Sequence, residues 1–122
     1  MSSKMIVIPL EPRTKKNSQR IVNNGVKPYI IQSKAYKGYE KQALYFIRPL
    51  GIDYPVNVRC LFYMKTHRRV DLVNLLEAID DILVKAGAIK DDNCEIVAGH
   101  DGSRVYYDKE NPRTEVYIEE IE

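Results

Sequence analysis

Oxygen-bearing side chains that could hold a metal ion are concentrated in one stretch of the chain, residues 68–93. A basic pair, Arg68 and Arg69, comes first, and the possible ligands after it are Asp71, Asn74, Glu77, Asp91 and Asp92. Hydrolysis of a phosphodiester needs the transition-state charge neutralised and a water activated, and carboxylate-held Mg²⁺ can do both. The chain has no cluster of cysteines and histidines that would favour zinc. These residues predict a divalent-metal site beside a surface for phosphates.

A helix must position these groups. At about 100° per residue, its apolar side chains fall on one face, namely Leu72, Leu75, Leu76, Ile79, Ile82, Leu83 and Ala86. The opposite face carries Asn74, Glu77, Asp81 and Lys85. Asp71 stands where an N-cap would stand, and Gly87 follows the last apolar position as a C-terminal stop. We therefore expect acids at the start of this helix, along its polar face and in the loop beyond its end.

Each acid also has a purely structural interpretation. The N-cap position alone would explain Asp71, and a turn alone would explain residues 91–93. Asp81 would be explained by an ion pair with Lys85, four residues later. Taken singly, these interpretations are the better ones. The combination of all the acids beside the arginine pair favours a site that cleaves a polyanion.

Charge is divided unevenly along the chain. Up to Val70 there are 14 Lys/Arg and 3 Asp/Glu, a net charge of +11, whereas from Asp71 onward there are 5 and 14, a net charge of −9. Such a split predicts a basic surface for a polyanion, although two solvated faces that balance each other would give the same count. The candidate DNA contacts are Arg13, Lys15, Lys16, Arg20, Arg68 and Arg69.

Length and composition fit a single globular domain over residues 1–122. Hydrophobic residues make up 44% of the chain, yet no apolar run reaches the roughly 20 residues of a membrane span. The first residues lack the apolar core of a secretory signal, so we expect a cytoplasmic protein without a membrane partner. Cys60 is predicted to be a core residue, the pattern leaves Cys94 either buried or exposed, and a disulfide is not expected in this compartment.

Several other elements can be read from the pattern. Residues 55–65 alternate most clearly, with one face formed by Val56, Val58, Cys60, Phe62 and Met64. Further strands are predicted at residues 5–10, 28–32, 94–100, 104–107 and 114–119, and a basic loop with a following turn at residues 11–25. A first helix is predicted from Ser33, as its N-cap, to Arg48, with an apolar stripe of Tyr36, Tyr39, Ala43, Phe46, Ile47 and Leu50. Burial tendencies place Tyr36 and Tyr39 in the core and not on a base-stacking surface. This order predicts an α+β fold, a mixed sheet with two main helices packed on it.

The acidic stretch resembles the RusA family of Holliday junction resolvases, small endonucleases that are common in phages and prophages. The likeness lies in residues 71–75, Asp81, the helix end at residues 85–87 and the pair Asp91-Asp92. It implies a homodimer that uses Mg²⁺, with Mn²⁺ able to substitute, to nick two opposed strands of a four-way DNA junction in recombination and repair. It also implies that Asp71 and Asp92 are the first and last catalytic aspartates and that Asn74 is the asparagine of the motif.

Two positions depart from the family pattern. Val73 stands where a second aspartate is expected, and Glu77 stands where a lysine is expected. We interpret the changes as compensating, with Glu77 supplying the missing carboxylate and Arg68, Arg69 or Arg104 replacing the lysine. One alternative is a resolvase-like module that binds branched DNA without cutting it. Another is a metal-dependent phosphodiesterase that acts on RNA or nucleotides.

Overall fold

The computed structural model describes residues 3–15, 19–23, 28–32 and 34–121. Its strands are β1 (Ser3–Ile8), β2 (Gln19–Asn23), β3 (Pro28–Gln32), β4 (Val56–Met64), β5 (Val97–Gly99), β6 (Arg104–Tyr107) and β7 (Arg113–Glu120). Its helices are α1 (Lys34–Ala43), which continues as a 3₁₀ turn over Leu44–Phe46, and α2 (Leu72–Lys85). None of the helices in these described ranges is both long and apolar enough to cross a bilayer.

A mixed five-stranded sheet organises the molecule. Antiparallel strands lie in the order β1, β7, β4, and the free side of β4 pairs in parallel with β5 along its first residues and with β6 along its last. Alternate residues of β4 and β7 are buried in one hydrophobic cluster that also contains the buried residues of α1 and α2. The predicted α+β class, with two helices on a mixed sheet, is therefore confirmed.

The unit β4–α2–β5 carries the acidic stretch. The predicted alternation of β4 is confirmed, because its five even-numbered residues, from Val56 to Met64, are all buried on one face. The α2 helix ends as predicted at Gly87, which has φ +78°. The N–H of Gly87 donates to the Val84 carbonyl at 3.0 Å and the N–H of Ala88 to the Leu83 carbonyl at 2.9 Å. This is the Schellman pattern, in which a glycine takes the left-handed conformation and the last carbonyls are satisfied.

The first helix is shorter than predicted. Regular α-helix ends at Ala43, and after the 3₁₀ turn Ile47 is already extended, with φ −117° and ψ 123°. Ile47 turns into the core, whereas Phe46 is exposed, so the prediction of Phe46 in the buried stripe is wrong. The change in helix type shifts the angular position of every side chain beyond residue 43, which a strict 100° spacing does not anticipate. Tyr36 and Tyr39 are buried as predicted.

The segment before α1 also differs from the prediction. The strand at residues 28–32 exists, but its partner β2 begins at Gln19 inside what the sequence predicted as a basic loop and turn. The predicted strands around residues 97–99 and 104–107 are present as β5 and β6, and both pair with β4 and not with each other. Cys60 is buried and Cys94 exposed, both as free thiols. Ser33 and residues 24–27 lie outside the described residues, so their predicted cap and turn are untested.

Candidate active site

Asp71 ends the connection from β4 and stands directly before α2. Its backbone is extended, with φ −88° and ψ 127°, and its carbonyl oxygen accepts the first helical hydrogen bond from the Leu75 N–H at 3.1 Å. Its carboxylate does not cap the helix. Instead, Oδ2 accepts a hydrogen bond from the side-chain amide of Asn74 at 3.2 Å. Asp71 thus occupies the cap position without the side-chain bond that usually stabilises a helix by about 1 kcal/mol, and its exposed carboxylate faces Asn74 and solvent.

The two departures from the motif lie on the exposed side of α2. Val73 is 72% exposed, so no packing requirement explains an apolar residue there. Glu77, one turn beyond Asn74, is also exposed and makes no hydrogen bond or ion pair with any described residue. The structure therefore brings Asp71, Asn74 and Glu77 to the first two turns of one helix, on its solvent side.

The basic pair at the entrance to α2 is also exposed. Arg68 and Arg69 lie in the irregular connection between β4 and the helix. Within the described ranges neither guanidinium pairs with a carboxylate. Two uncompensated positive charges so close to Asp71 are suited to hold the phosphate backbone of a nucleic acid.

The second acid pair lies beyond the other end of α2. Asp91 is used within its own loop, because Oδ1 accepts the Asp92 N–H at 2.7 Å and Oδ2 the Asn93 side-chain amide at 3.3 Å. This agrees with the turn interpretation of Asp91. The exposed carboxylate of Asp92 makes no such bond to the residues described. Backbone hydrogen bonds from Lys90 to Ile52 and from Val56 to Ile96, both of 2.8 Å, hold this loop beside the start of β4.

The two groups of acids lie on either side of α2 along the chain. A helix of 14 residues is about 20 Å long at 1.5 Å per residue. Asp71 precedes its first turn, and Asp91 and Asp92 follow its last. Among residues 3–15, 19–23, 28–32 and 34–121, no group of three or more His, Cys, Asp or Glu side chains is close enough to hold a metal ion. The donor types fit Mg²⁺, but one chain by itself does not assemble the predicted ligands.

The predicted basic loop is only partly described. Lys15 forms a 2.7 Å ion pair with Asp81, which also meets Lys85 at 3.5 Å, the predicted i,i+4 pair. Burial raises the pKa of Asp81, but the hydrogen bond and charge of Lys15 outweigh it and hold that pKa below its usual range. Arg13 lies 4.0 Å from Glu11. Lys16 and the side chain of Arg20 lie outside the described residues. Lys15 therefore ties the loop to α2, and its contact with DNA stays a prediction.

A buried acid on α2 was missed by the sequence analysis. Asp80 is only 8% exposed, and its Oδ2 lies 2.8 Å from Nε2 of His100, just beyond β5. Nδ1 of the same ring lies 2.9 Å from the Val58 carbonyl oxygen in β4. The other oxygen of Asp80 has no partner in the described structure. His100 thus links the helix to the sheet between the ends of β5 and β6.

The geometry of His100 fixes how many protons this pair holds. A carbonyl oxygen only accepts, so Nδ1 carries a proton directed at Val58. Nε2 and the Asp80 carboxyl then share one further proton. The hydrogen bond with Asp80 raises the pKa of His100, and burial raises the pKa of Asp80 although His100 opposes it. Both directions favour retention of the shared proton by the folded protein.

The fold and these residues together define a class of protein: an α+β domain with exposed oxygen ligands and unpaired arginines suited to a phosphodiester substrate. The sequence matches the family model Endodeoxyribonuclease RusA over residues 9–119. The chain therefore belongs to the RusA family of endodeoxyribonucleases, and the resemblance found in residues 68–93 is confirmed. A comparison with curated proteins gives no match.

Proposed function

We propose that this protein is a Mg²⁺-dependent endodeoxyribonuclease that resolves four-way DNA junctions during recombination and repair in the cytoplasm, with Mn²⁺ able to replace Mg²⁺. The observation that carries the proposal is Asp71, whose carboxylate stands at an N-cap position yet takes no part in the cap. Departure from a local stabilising rule is expected at residues kept for function. Membership of an endodeoxyribonuclease family supplies DNA as the substrate.

Each side chain at the entrance to α2 has a role in this proposal. Arg68 and Arg69 bind phosphates on either side of the cut, since guanidinium groups match the geometry of phosphate oxygens. Asn74 orients Asp71 through its 3.2 Å hydrogen bond. Glu77 takes the place of the carboxylate that is absent at Val73. When bound, a divalent metal supplies charge neutralisation and an activated water in this class of reaction.

The substrate is tested by comparing three DNAs of equal length. With Mg²⁺ we expect cuts at symmetric positions in a synthetic four-way junction, and little or no cutting of linear duplex or single strands. Denaturing gels of end-labelled strands give the positions and rates. Equal rates on junction and duplex, or preferential cutting of RNA, would contradict the proposed selectivity.

We propose further that two protomers form each site. Because Asp71 and the Asp91-Asp92 pair lie at opposite ends of α2, two copies related by a two-fold axis with antiparallel α2 helices bring unlike ends together. Each site then has Asp71 and Glu77 from one protomer and Asp91 and Asp92 from the other. Such a homodimer has two equivalent sites, which matches paired nicks in opposed strands.

Mixing two inactive variants tests the shared site. Asp71→Asn and Asp92→Asn are each expected to be inactive, but a mixed dimer has one site with both aspartates intact, so the mixture should regain nicking of one strand. The control mixes Asp71→Asn with the double variant, which cannot rebuild an intact site. A mixture that native mass spectrometry shows to contain mixed dimers, yet that stays inactive, would place both aspartates of a site in the same protomer.

A second candidate function is a branched-DNA-binding module that does not cut. The exposed Val73 and the reversed charge at Glu77 favour it, since both remove features of the family motif. This candidate expects junction binding that weakens steeply with salt and no nicking with either Mg²⁺ or Mn²⁺.

A further inference from the structure

Two exposed tyrosines follow one another on β6 and point to opposite faces of the sheet. Tyr106 and Tyr107 are 42% and 44% exposed, and they lie opposite Tyr63 and Met64 of β4. Side chains alternate along a strand, so Tyr107 lies on the face of the buried Met64 and Tyr106 on the face of the half-buried Tyr63. The two rings therefore have different neighbours.

Tyr106 is part of a closed aromatic and ionic network. Its ring stacks on Tyr63, with 5.1 Å between centroids, and the Arg113 guanidinium lies 3.7 Å from the centre of the Tyr63 ring. Arg113 is in turn neutralised by Asp108 at 3.0 Å and Glu115 at 2.7 Å. The position of the Tyr106 ring is therefore explained by contacts within the sheet.

Tyr107 has a different partner, which belongs to the connection leading to Asp71. Its ring stacks on His67 with 3.7 Å between centroids and 20° between planes. Both residues are exposed. A cavity of about 220 Å³ lies beside them, lined by Met64, Thr66, His67, Arg68, Val105, Tyr106 and Tyr107. Pockets for drug-sized ligands start at about 300 Å³, so this cavity suits a single planar ring.

The chemistry around this cavity matches a nucleobase. Its lining combines aromatic rings with the apolar side chains of Met64 and Val105 and the positive charge of Arg68. Aromatic side chains next to basic ones are how proteins hold unpaired bases, by stacking on the ring and contact with the phosphate. Asp71 is three residues beyond Arg68, a span of at most about 10 Å of extended chain. A base held on Tyr107 would thus place its phosphate near the candidate active site.

We propose that the stacked pair of Tyr107 and His67 is a platform for a base that has left the duplex stack at the branch point, and that Tyr107 is a positioning residue for the adjacent scissile phosphate. This inference rests on the proposed function, since the branch point of a junction is where base stacking is interrupted. His67 backs the platform and fixes the plane of the Tyr107 ring. Arg68 contributes the positive charge that holds the phosphate of the same nucleotide.

The test uses a junction that carries 2-aminopurine at the branch point, bound to protein with the Asp71→Asn substitution so that nothing is cut. Binding should quench the fluorescence, because 2-aminopurine is quenched when it stacks on an aromatic ring. Tyr107→Leu should abolish the quenching and weaken binding by roughly 5- to 150-fold, the effect of one base–aromatic stack. Tyr107→Phe keeps the ring face and should retain both. Tyr45→Leu, the same change at an exposed tyrosine of the 3₁₀ turn that does not line the cavity, is the control and should also retain both.

In protein with Asp71 intact, Tyr107→Leu should raise KM more than it lowers kcat, as expected when a binding contact is lost. Quenching that persists in Tyr107→Leu would overturn the platform even if junctions are cut normally. Equal losses in Tyr107→Leu and Tyr45→Leu would overturn it too, because the effect would then not depend on the ring beside the cavity. Quenching without any cleavage by the wild type would support the platform and reject the nuclease proposal, so the two can fail separately.

Discussion

Replacing Asp71 with asparagine is expected to reduce cleavage of a four-way junction by about 10³-fold or more while leaving junction binding intact. The substitution keeps the size and the hydrogen bond to Asn74 but removes the negative charge that would hold a cation. Metal-based charge stabilisation contributes several kcal/mol, and each 1.4 kcal/mol is a factor of ten in rate. Single-turnover cleavage and a gel-shift titration of the same preparation measure the two quantities.

A matched control is Asp101→Asn, which removes the same charge from an exposed loop between β5 and β6. It should cut at the wild-type rate. Glu77→Gln tests the compensation separately. Loss of Mg²⁺-dependent activity in this variant would support Glu77 as the replacement for the carboxylate missing at Val73. Normal cutting by Asp71→Asn would reject the assigned site, and normal cutting by Glu77→Gln would reject only the compensation.

Replacing His100 with alanine is expected to lower the free energy of unfolding by about 3 kcal/mol. The substitution leaves the buried carboxyl of Asp80 without its 2.8 Å partner and the Val58 carbonyl without a donor, and an unpaired buried charge costs about 3–5 kcal/mol. Burial raises the pKa of Asp80 and so favours its neutral form, which keeps the cost near the lower limit. Urea unfolding followed by circular dichroism measures it. His67→Ala, the same change at the only other histidine in the chain, should cost about 1 kcal/mol or less.

The pair of His100 and Asp80 also predicts how the free energy of unfolding depends on pH. The pKa of His100 is raised in the folded protein, so its contribution is fully present below about pH 6.5, the unfolded value, and is lost as pH rises through the folded pKa. The raised pKa of Asp80 has the same sign. Above about pH 6.5 the stability difference between wild type and His100→Gln should therefore shrink, by at most about 1.4 kcal/mol per pH unit. A difference that grows with pH would show that the pair does not hold the proton.

Local patterns were sufficient for the elements that carry the acids. In β4 and in α2 many apolar side chains repeat with the period of one type of element, so the pattern fits a strand in the first case and a helix in the second, and nothing else. Gly87 was predictable because few residues accept a positive φ at a helix end. The N-cap position of Asp71 was likewise predictable. That its carboxylate binds Asn74 and not the helix could not be predicted, because both arrangements fit the same three-residue spacing.

Long-range contacts account for what the sequence did not predict. From the helical pattern alone, Asp80 is expected at the edge of the solvated face, next to Leu76. Its burial is explained only by the contact with His100, 20 residues later in the chain. The contact of Lys15 with Asp81 joins segments more than 60 residues apart. The position of Asp92 relative to Asp71 depends on the direction of α2 relative to β4, which periodicity alone does not specify. These features follow from tertiary packing and carry no local signal.

The strand between β1 and β4 in the sheet is β7, which follows all the other described strands in the chain. Because β7 lies between β1 and β4, pairs such as Ser3 with Glu119 and Cys60 with Val116 cannot form until that strand has left the ribosome. Closing such long loops is entropically costly and slows folding. A nascent or prematurely terminated chain therefore lacks the support beneath α2, and cutting of DNA can begin only after translation through β7 is complete.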